Sequence, residues 1–441
     1  MFEYFNECVR FLHRPVGGSS AEARLWVASA FLLCLIAGSP EGLASQDSNC
    51  GAQRSVPRRA LDEMSWKQLN RIDELLSAEQ VDEAEAALER MMERAAGDPY
   101  LQAIVHQALA QVAWQKQEFD SALSHDQQAV ELNVLPDDAH FSLMYQIAQL
   151  HFMQERYAEA LNELALWFCQ SPPESIDSKA WALKAAIHSG SLQYEEALDA
   201  IETAISLNDE PQEPWFQLSL AARLELDRYR EAVATLRRMI ELWPDRKYYW
   251  IQLSQLLFKL DQEREALDVM ALAYRARLLD SQADLTWLSS LYGQAGIPQR
   301  AAEVLERGIL EGVVSPTRDH WLMVADSWYR AEELAPALQA YEAAGQMSAD
   351  GSVDLRRAYL LVGLERWNDV LNALAAALEK DGLGEQKSAE AFLLRGIAHF
   401  HLEDFGSAES DWQRASRDDK SRDAAQQWLN HLREERKVRA S

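Results

Sequence analysis

Tyr157-Ala158-Glu159-Ala160-Leu161-Asn162-Glu163-Leu164, followed by Trp167, decides how the chain is read. A large residue is followed three places on by a small one and seven on by another large apolar one. On a helix those offsets share a face, so the segment predicts a helix with one small contact point between two bulky ones. The same unit opens at Val81, Phe119, Tyr157, Tyr194, Tyr229, Glu263, Pro298, Leu334, Trp367 and Phe405, in steps of 33 to 38 residues. At each opening the expectation is the same: a small residue three on, an aliphatic or aromatic one seven on. A period of this length predicts stacked helix pairs that pack on their neighbours, not a single globular core.

The small residues are Ala84, Ala122, Ala160, Ala197, Ala232, Ala266, Ala301, Ala337 and Ala408, with Val370 the exception. About nine residues before an opening, a second small residue falls on the preceding helix: Ala110, Ala148, Ala185, Ser254, Ser289, Ala325 and Gly396. Two such residues facing each other let helix axes approach to roughly 8–10 Å. Ten residues after the opening, Ala129, Ala204, Ala273, Ala344, Ala377 and Ala415 are expected to seat the next pair. Pro99, Pro136, Pro172, Pro211, Pro244 and Pro316 lie near the junctions, where proline is expected to stop the second helix. The pattern resembles the tetratricopeptide repeat. That resemblance implies an all-α, right-handed superhelical solenoid of about ten helix pairs over residues 65–419. A last amphipathic helix follows in 420–441, with Ala424, Trp428, Leu429 and Leu432 on its apolar face, and is expected to cap the stack.

Ahead of the repeats, Leu25 to Gly38 is an uncharged apolar run preceded by Arg24 and followed by Gly42 and Ala44. It is too short to span a bilayer as a permanent helix. Residues 1–44 therefore read as a signal peptide for export to the periplasm; the alternative is an uncleaved anchor in the inner membrane. Residues 45–64 read as a flexible arm. Removing the leader leaves Cys50 and Cys169, which in an oxidising compartment either pair or stay separate.

The full chain carries a net charge of −27, and −26 without its leader. That sign excludes nucleic acid as a ligand and disfavours adsorption to anionic lipid, leaving either a basic or mixed-charge protein partner or simply the solubility of a long, surface-rich solenoid that needs no partner. There is no glycine-rich phosphate loop, no paired-cysteine metal spacing and no His-Glu-x-x-His helix. His399 and His401, two apart on a helix, point away from each other. Nothing in the sequence supports an enzyme, a cofactor or a metal.

What remains is a surface. In this repeat architecture the first helix of each pair lines the inner face. The register places Trp114, Tyr145, Phe152, Phe216, Tyr248, Phe258, Leu322 and Tyr329 toward it, either as anchors for a bound peptide or as filling between neighbouring first helices. Three stretches narrow the resemblance: 266–279, 291–308 and 420–429. They are similar to secreted tetratricopeptide-repeat proteins found beside TonB energy-transduction components, and the likeness is strongest over roughly 215–436. It implies a non-catalytic periplasmic accessory of TonB-dependent transport, with TonB or the ExbB–ExbD motor as partner. The alternative is a general scaffold for outer-membrane protein or peptidoglycan assembly.

Overall fold

The structure, a computed structural model, describes residues 54–380 and 382–440, so the leader, its apolar run and Cys50 lie outside the described residues. Described residues form 21 α-helices and no strand. In unit one (Met1–Thr235) these are α1 (Glu63–Ser77), α2 (Val81–Arg94), α3 (Pro99–Gln115), α4 (Phe119–Glu131), α5 (Asp137–Met153), α6 (Tyr157–Gln170), α7 (Ser178–Gly190), α8 (Tyr194–Ser206) and α9 (Glu213–Glu225). The division falls inside α10 (Tyr229–Leu242). Unit two (Leu236–Ser441) continues with α11 (Lys247–Lys259), α12 (Glu263–Arg275), α13 (Gln282–Gln294), α14 (Pro298–Leu310), α15 (Arg318–Arg330) and α16 (Leu334–Gln346). It ends with α17 (Ser352–Gly363), α18 (Trp367–Glu379), α19 (Glu385–His401), α20 (Phe405–Ala415) and α21 (Arg422–Ala440). The contacts thus divide the chain into two compact units. When each helix packs mainly on its neighbours in the chain, few contacts cross any one point.

All ten predicted openings are the first residues of second helices, from α2 to α20. The small residues three places on, Val370 included, are buried, as are Ala129, Ala204, Ala273, Ala344, Ala377 and Ala415. Ala110, Ala148, Ala185, Ser254, Ser289 and Ala325 are buried on the first helices facing them. At Gly396 the reason for glycine is direct: an added Cβ would lie 2.5 Å from the indole nitrogen of Trp412.

Two residues before every opening the backbone turns left-handed, at Glu79, Gln117, Glu155, Leu192, Asp227, Asp261, Gly296, Glu332, Glu365 and Glu403, with φ between 53° and 72°. The next amide reaches back five residues, as from Arg156 to the His151 carbonyl at 2.9 Å. This terminates the first helix and reverses the chain into the second.

Three expectations are corrected. Pro99 and Pro136 do not stop second helices: α2 ends at Arg94, Pro99 is the first residue of α3, and Pro136 caps α5. Proline suits a helix start because its missing N–H would have no partner there. Seven residues after Phe119 stands Asp126, fully buried, where the other units have Leu88, Leu164, Ile201, Leu236, Met270, Leu305, Tyr341, Leu374 and Trp412. Neither carboxylate oxygen of Asp126 has a protein partner. Finally, the described part of the arm, residues 54–62, has no regular structure but is pinned. Arg54 binds Asp137 at 2.7 Å and Asn133 at 2.8 Å, Arg58 pairs with Asp138, and Arg59 spans both carboxylate oxygens of Asp98. The Tyr100 hydroxyl donates to the Arg59 carbonyl.

At the C-terminal end, Trp412, Leu429 and Leu432 are buried together with Ala408, Ala415 and Ala425, and Trp428 stacks on Trp412 at 5.3 Å. The last helix thus covers the apolar face of α20, as its pattern predicts. No described helix is long and apolar enough to cross a membrane.

Candidate partner-binding surface

The eight residues placed on the first-helix face have different surroundings. Trp114 packs edge-on against Phe119 at 5.6 Å, and Phe152 against Tyr157 at 6.2 Å, each closing the turn of its own helix pair. Tyr145 lies against Trp167 at 5.3 Å and donates to the Lys179 carbonyl at 3.3 Å. Burial, followed by the Asp177 charge, raises its phenol pKa. Phe258 meets Trp287 of the next first helix edge-on at 5.1 Å, and the Trp287 indole donates to Ser254. These four fill space. Phe216 and Leu322 are half-buried. Tyr248 and Tyr329 stay open, 48% and 49% exposed, but occupy opposite ends of their helices, the first turn of α11 and the last turn of α15.

A different set comes together in unit two. Tyr359 on α17 is 48% exposed and was absent from the sequence reading. It directly follows the buried small residue Ala358, just as Asp326 on α15 follows Ala325, so this shared register is the signal that would have found it. Arg356, one turn before Tyr359, binds both oxygens of Asp326, at 3.0 and 3.3 Å, and Asp326 also accepts from the Tyr341 hydroxyl. Tyr359 donates to Glu390 of α19 at 3.3 Å. Burial first, and then Glu390, raise the Tyr359 phenol pKa, so it remains a neutral donor at physiological pH. Tyr329 lies one turn beyond Asp326 on the same helix face. Three successive first helices, α15, α17 and α19, therefore present two half-exposed tyrosines beside Asp326, Arg356 and Glu390, tied across the helices by hydrogen bonds.

Such a strip can bind and position; it holds no convergent set of groups suited to acid–base work. Among the described residues no group of three or more His, Cys, Asp or Glu is placed to hold a metal ion. His401 stacks flat on Trp367 at 4.0 Å while His399 approaches Asp404 at 3.3 Å, so the two histidines serve separate contacts.

Helix pairs in tandem define a helical-repeat protein. Residues 108–170 and 355–425 match the tetratricopeptide-repeat family model. Among solved structures it is similar to a tetratricopeptide-repeat protein from Parabacteroides merdae, at 13% identity and TM-score 0.37, covering 68% of this chain and 100% of that one. It is also similar to the C-terminal part of a repeat protein from Cytophaga hutchinsonii, at 13% identity and TM-score 0.34, over 63% and 98% of the two chains. A third is YrrB, described as a repeat protein with an unusual peptide-binding site, at 18% identity and TM-score 0.33, over 44% and 97%.

Proposed function

We propose that the protein is a non-catalytic periplasmic scaffold that holds an extended segment of a partner on the strip formed by α15, α17 and α19, as an accessory of TonB-dependent transport. The observation that carries the binding role is the pair of half-exposed tyrosines, Tyr329 and Tyr359, on helices joined through Arg356 and Asp326. Tyrosine offers a large contact area with little rotamer entropy to lose, and the Asp326 bridge fixes the platform around it. The TonB context rests on the sequence resemblance over roughly 215–436, which includes this strip. Export is supported by the leader's pattern.

The ligand that fits is the periplasmic linker of TonB, which the resemblance implies to be rich in proline and to carry lysines. A proline-rich segment arrives extended as a polyproline II helix, loses little entropy on binding, and stacks its rings on aromatic side chains. Its lysines are steered toward a chain of net charge −26, an effect that fades as salt shortens the screening length. Tyr329→Ala combined with Tyr359→Ala is expected to weaken binding of a linker peptide by about 1–3 kcal/mol without changing the helical circular dichroism. Titration calorimetry at two salt concentrations measures this. Unchanged affinity in the double variant removes the strip as the site, and no binding by the wild type removes the linker as the ligand.

A further inference from the structure

Residues 54–59, Arg-Ser-Val-Pro-Arg-Arg, have no regular structure and cross from the start of α5 to the start of α3. Unit one holds them through side chains and backbone together, as a peptide site holds its ligand. The Arg54 guanidinium donates to the Asn133 side chain at 2.8 Å, to Asp137 at 2.7 Å and to the Leu135 carbonyl, and its side chain is only 12% exposed. These three acceptors come from the turn between α4 and α5, where Asn133 adopts φ 51°. A guanidinium presents its donors in a rigid plane and can reach all three; an ammonium is a single point charge. The Val56 amide donates to Asp137 at 3.2 Å, and Arg58 pairs with Asp138. Arg59 spans both oxygens of Asp98 with its guanidinium 5.5 Å from the centre of the Tyr100 ring, and the Tyr100 hydroxyl donates to the Arg59 carbonyl. Beside this pocket His140, one turn into α5, is buried with its Nδ1 unpartnered. Burial and then the Arg54 charge push its pKa down to about 4, while Asp137 acts the other way.

We propose that Asn133, Leu135, Asp137, Asp138, Asp98 and Tyr100 form a docking site for an arginine-bearing segment of a partner protein, and that residues 54–59 occupy it as an internal competitor until the partner displaces them. The segment can leave without opening the core. Leu61, beyond it, is the residue that packs against buried side chains of unit one, whereas Arg58 and Arg59 keep 81% and 61% of their side chains in solvent. Ion pairs that exposed are weak and screened by salt. What holds the segment is the enclosed Arg54 and its tether, since a segment on the same chain acts at an effective concentration on the order of millimolar. A partner must therefore offer the same arginine contacts together with others elsewhere, and the chain's net charge of −27 draws a basic segment toward it. The site contains none of the residues of the tyrosine strip, so either can fail alone.

The test titrates a fluorescently labelled peptide, with the sequence of residues 54–60, into the full chain and follows its anisotropy. A chain carrying Arg54→Ala, Arg58→Ala and Arg59→Ala is expected to bind the peptide at least about tenfold more tightly than wild type, because the tethered competitor is gone. Adding Asp137→Asn to that variant is expected to abolish the gain. A peptide with lysine in place of its three arginines is expected to bind the triple variant at least about fivefold more weakly, since it keeps the charge and loses the planar fork. Equal affinity of triple variant and wild type, a gain that survives Asp137→Asn, or equal affinity for the arginine and lysine peptides overturns the proposal. The His140 imidazole gives a second readout by nuclear magnetic resonance: it is expected to titrate at higher pH in the triple variant and to return toward the wild-type value when the arginine peptide is bound. No return means that the peptide binds elsewhere and overturns the site. Loss of helical circular dichroism in the triple variant overturns it too, because the segment is then a fixed part of unit one and not a displaceable one.

Discussion

Burial alone, with no charged group near enough to matter, pushes the Asp126 carboxyl up to about 7, because both oxygens sit in a place that nine other units fill with a large apolar side chain. The sign follows from linkage. A carboxyl whose folded pKa lies above its unfolded value contributes fully below the unfolded value near 3.8, and the contribution is lost as pH rises toward about 7. The loss is on the order of 4 kcal/mol. His140 on α5 runs the other way, pushed down to about 4 by burial and then by Arg54, so it destabilises as pH falls from 6.5. Variants separate the two. Asp126→Asn removes only the ionisation, and its melting temperature is expected to pull ahead of wild type between about pH 4 and 7 and stay level above. Asp126→Leu restores the residue found at Leu88, Leu164, Leu305 and Leu374 and is expected to be more stable still. Identical melting curves for Asp126→Asn and wild type at pH 5 and pH 8 would show that the Asp126 carboxyl titrates in the fold as it does in the unfolded chain. The departure was legible, since Asp126 stands in the sequence at a fixed offset from Phe119. Its burial without a partner was not, because that depends on what α3 and α5 bring to α4.

Helix starts were readable because each is set by side chains that repeat: a large residue at the first position, a small one a turn later, a large one beyond. The turns before them were not. Their left-handed residue is Glu, Gln, Leu, Asp or Gly in different units, with no shared chemistry, and only the five-residue backbone hydrogen bond makes the position uniform. Every non-glycine there accepts a conformation that costs an L-residue roughly 1–2 kcal/mol. Leu192 is the clearest case, with φ 61° and 71% of its surface in solvent, so its side chain returns little packing for that strain. Leu192→Gly is expected to stabilise unit one by about 0.5–1 kcal/mol, less than the full strain because glycine also gives the unfolded chain more freedom. Urea denaturation with an unchanged m-value checks it, and a destabilised variant would mean that Leu192 packs more than its exposure shows. The binding face was half legible for a related reason. Register placed Phe258 on the first-helix side, but whether a ring there is open or covered depends on the neighbouring first helix, and Trp287 covers it.

Across the molecule, the arm was the least legible part, because the pairs that pin it join residues about 80 positions apart in the case of Arg54 and Arg58. No periodicity reports such contacts. The repeats behave differently, since each helix packs chiefly on the helices next to it in sequence, with additional contacts one helix further on at α7 with α9 and α17 with α19. Stability in such an array is close to a sum of unit and neighbour terms, so damage should stay near its source. Ala160, fully buried on α6 among Phe141, Met144, Leu164 and Ile187, is the place to apply it. Ala160→Asp overfills that contact and buries an unpaired charge, at a cost of about 3 kcal/mol or more. Hydrogen exchange read by peptide mass is expected to show lost protection in α5 to α8. Peptides from α15 to α20 should keep wild-type rates, and the tyrosine strip on α15 and α17 should keep its affinity for a bound peptide. Uniform loss of protection along the chain would mean that the two units unfold as one cooperative body, and a variant as stable as wild type would mean that Ala160 is not the contact point between α5 and α6.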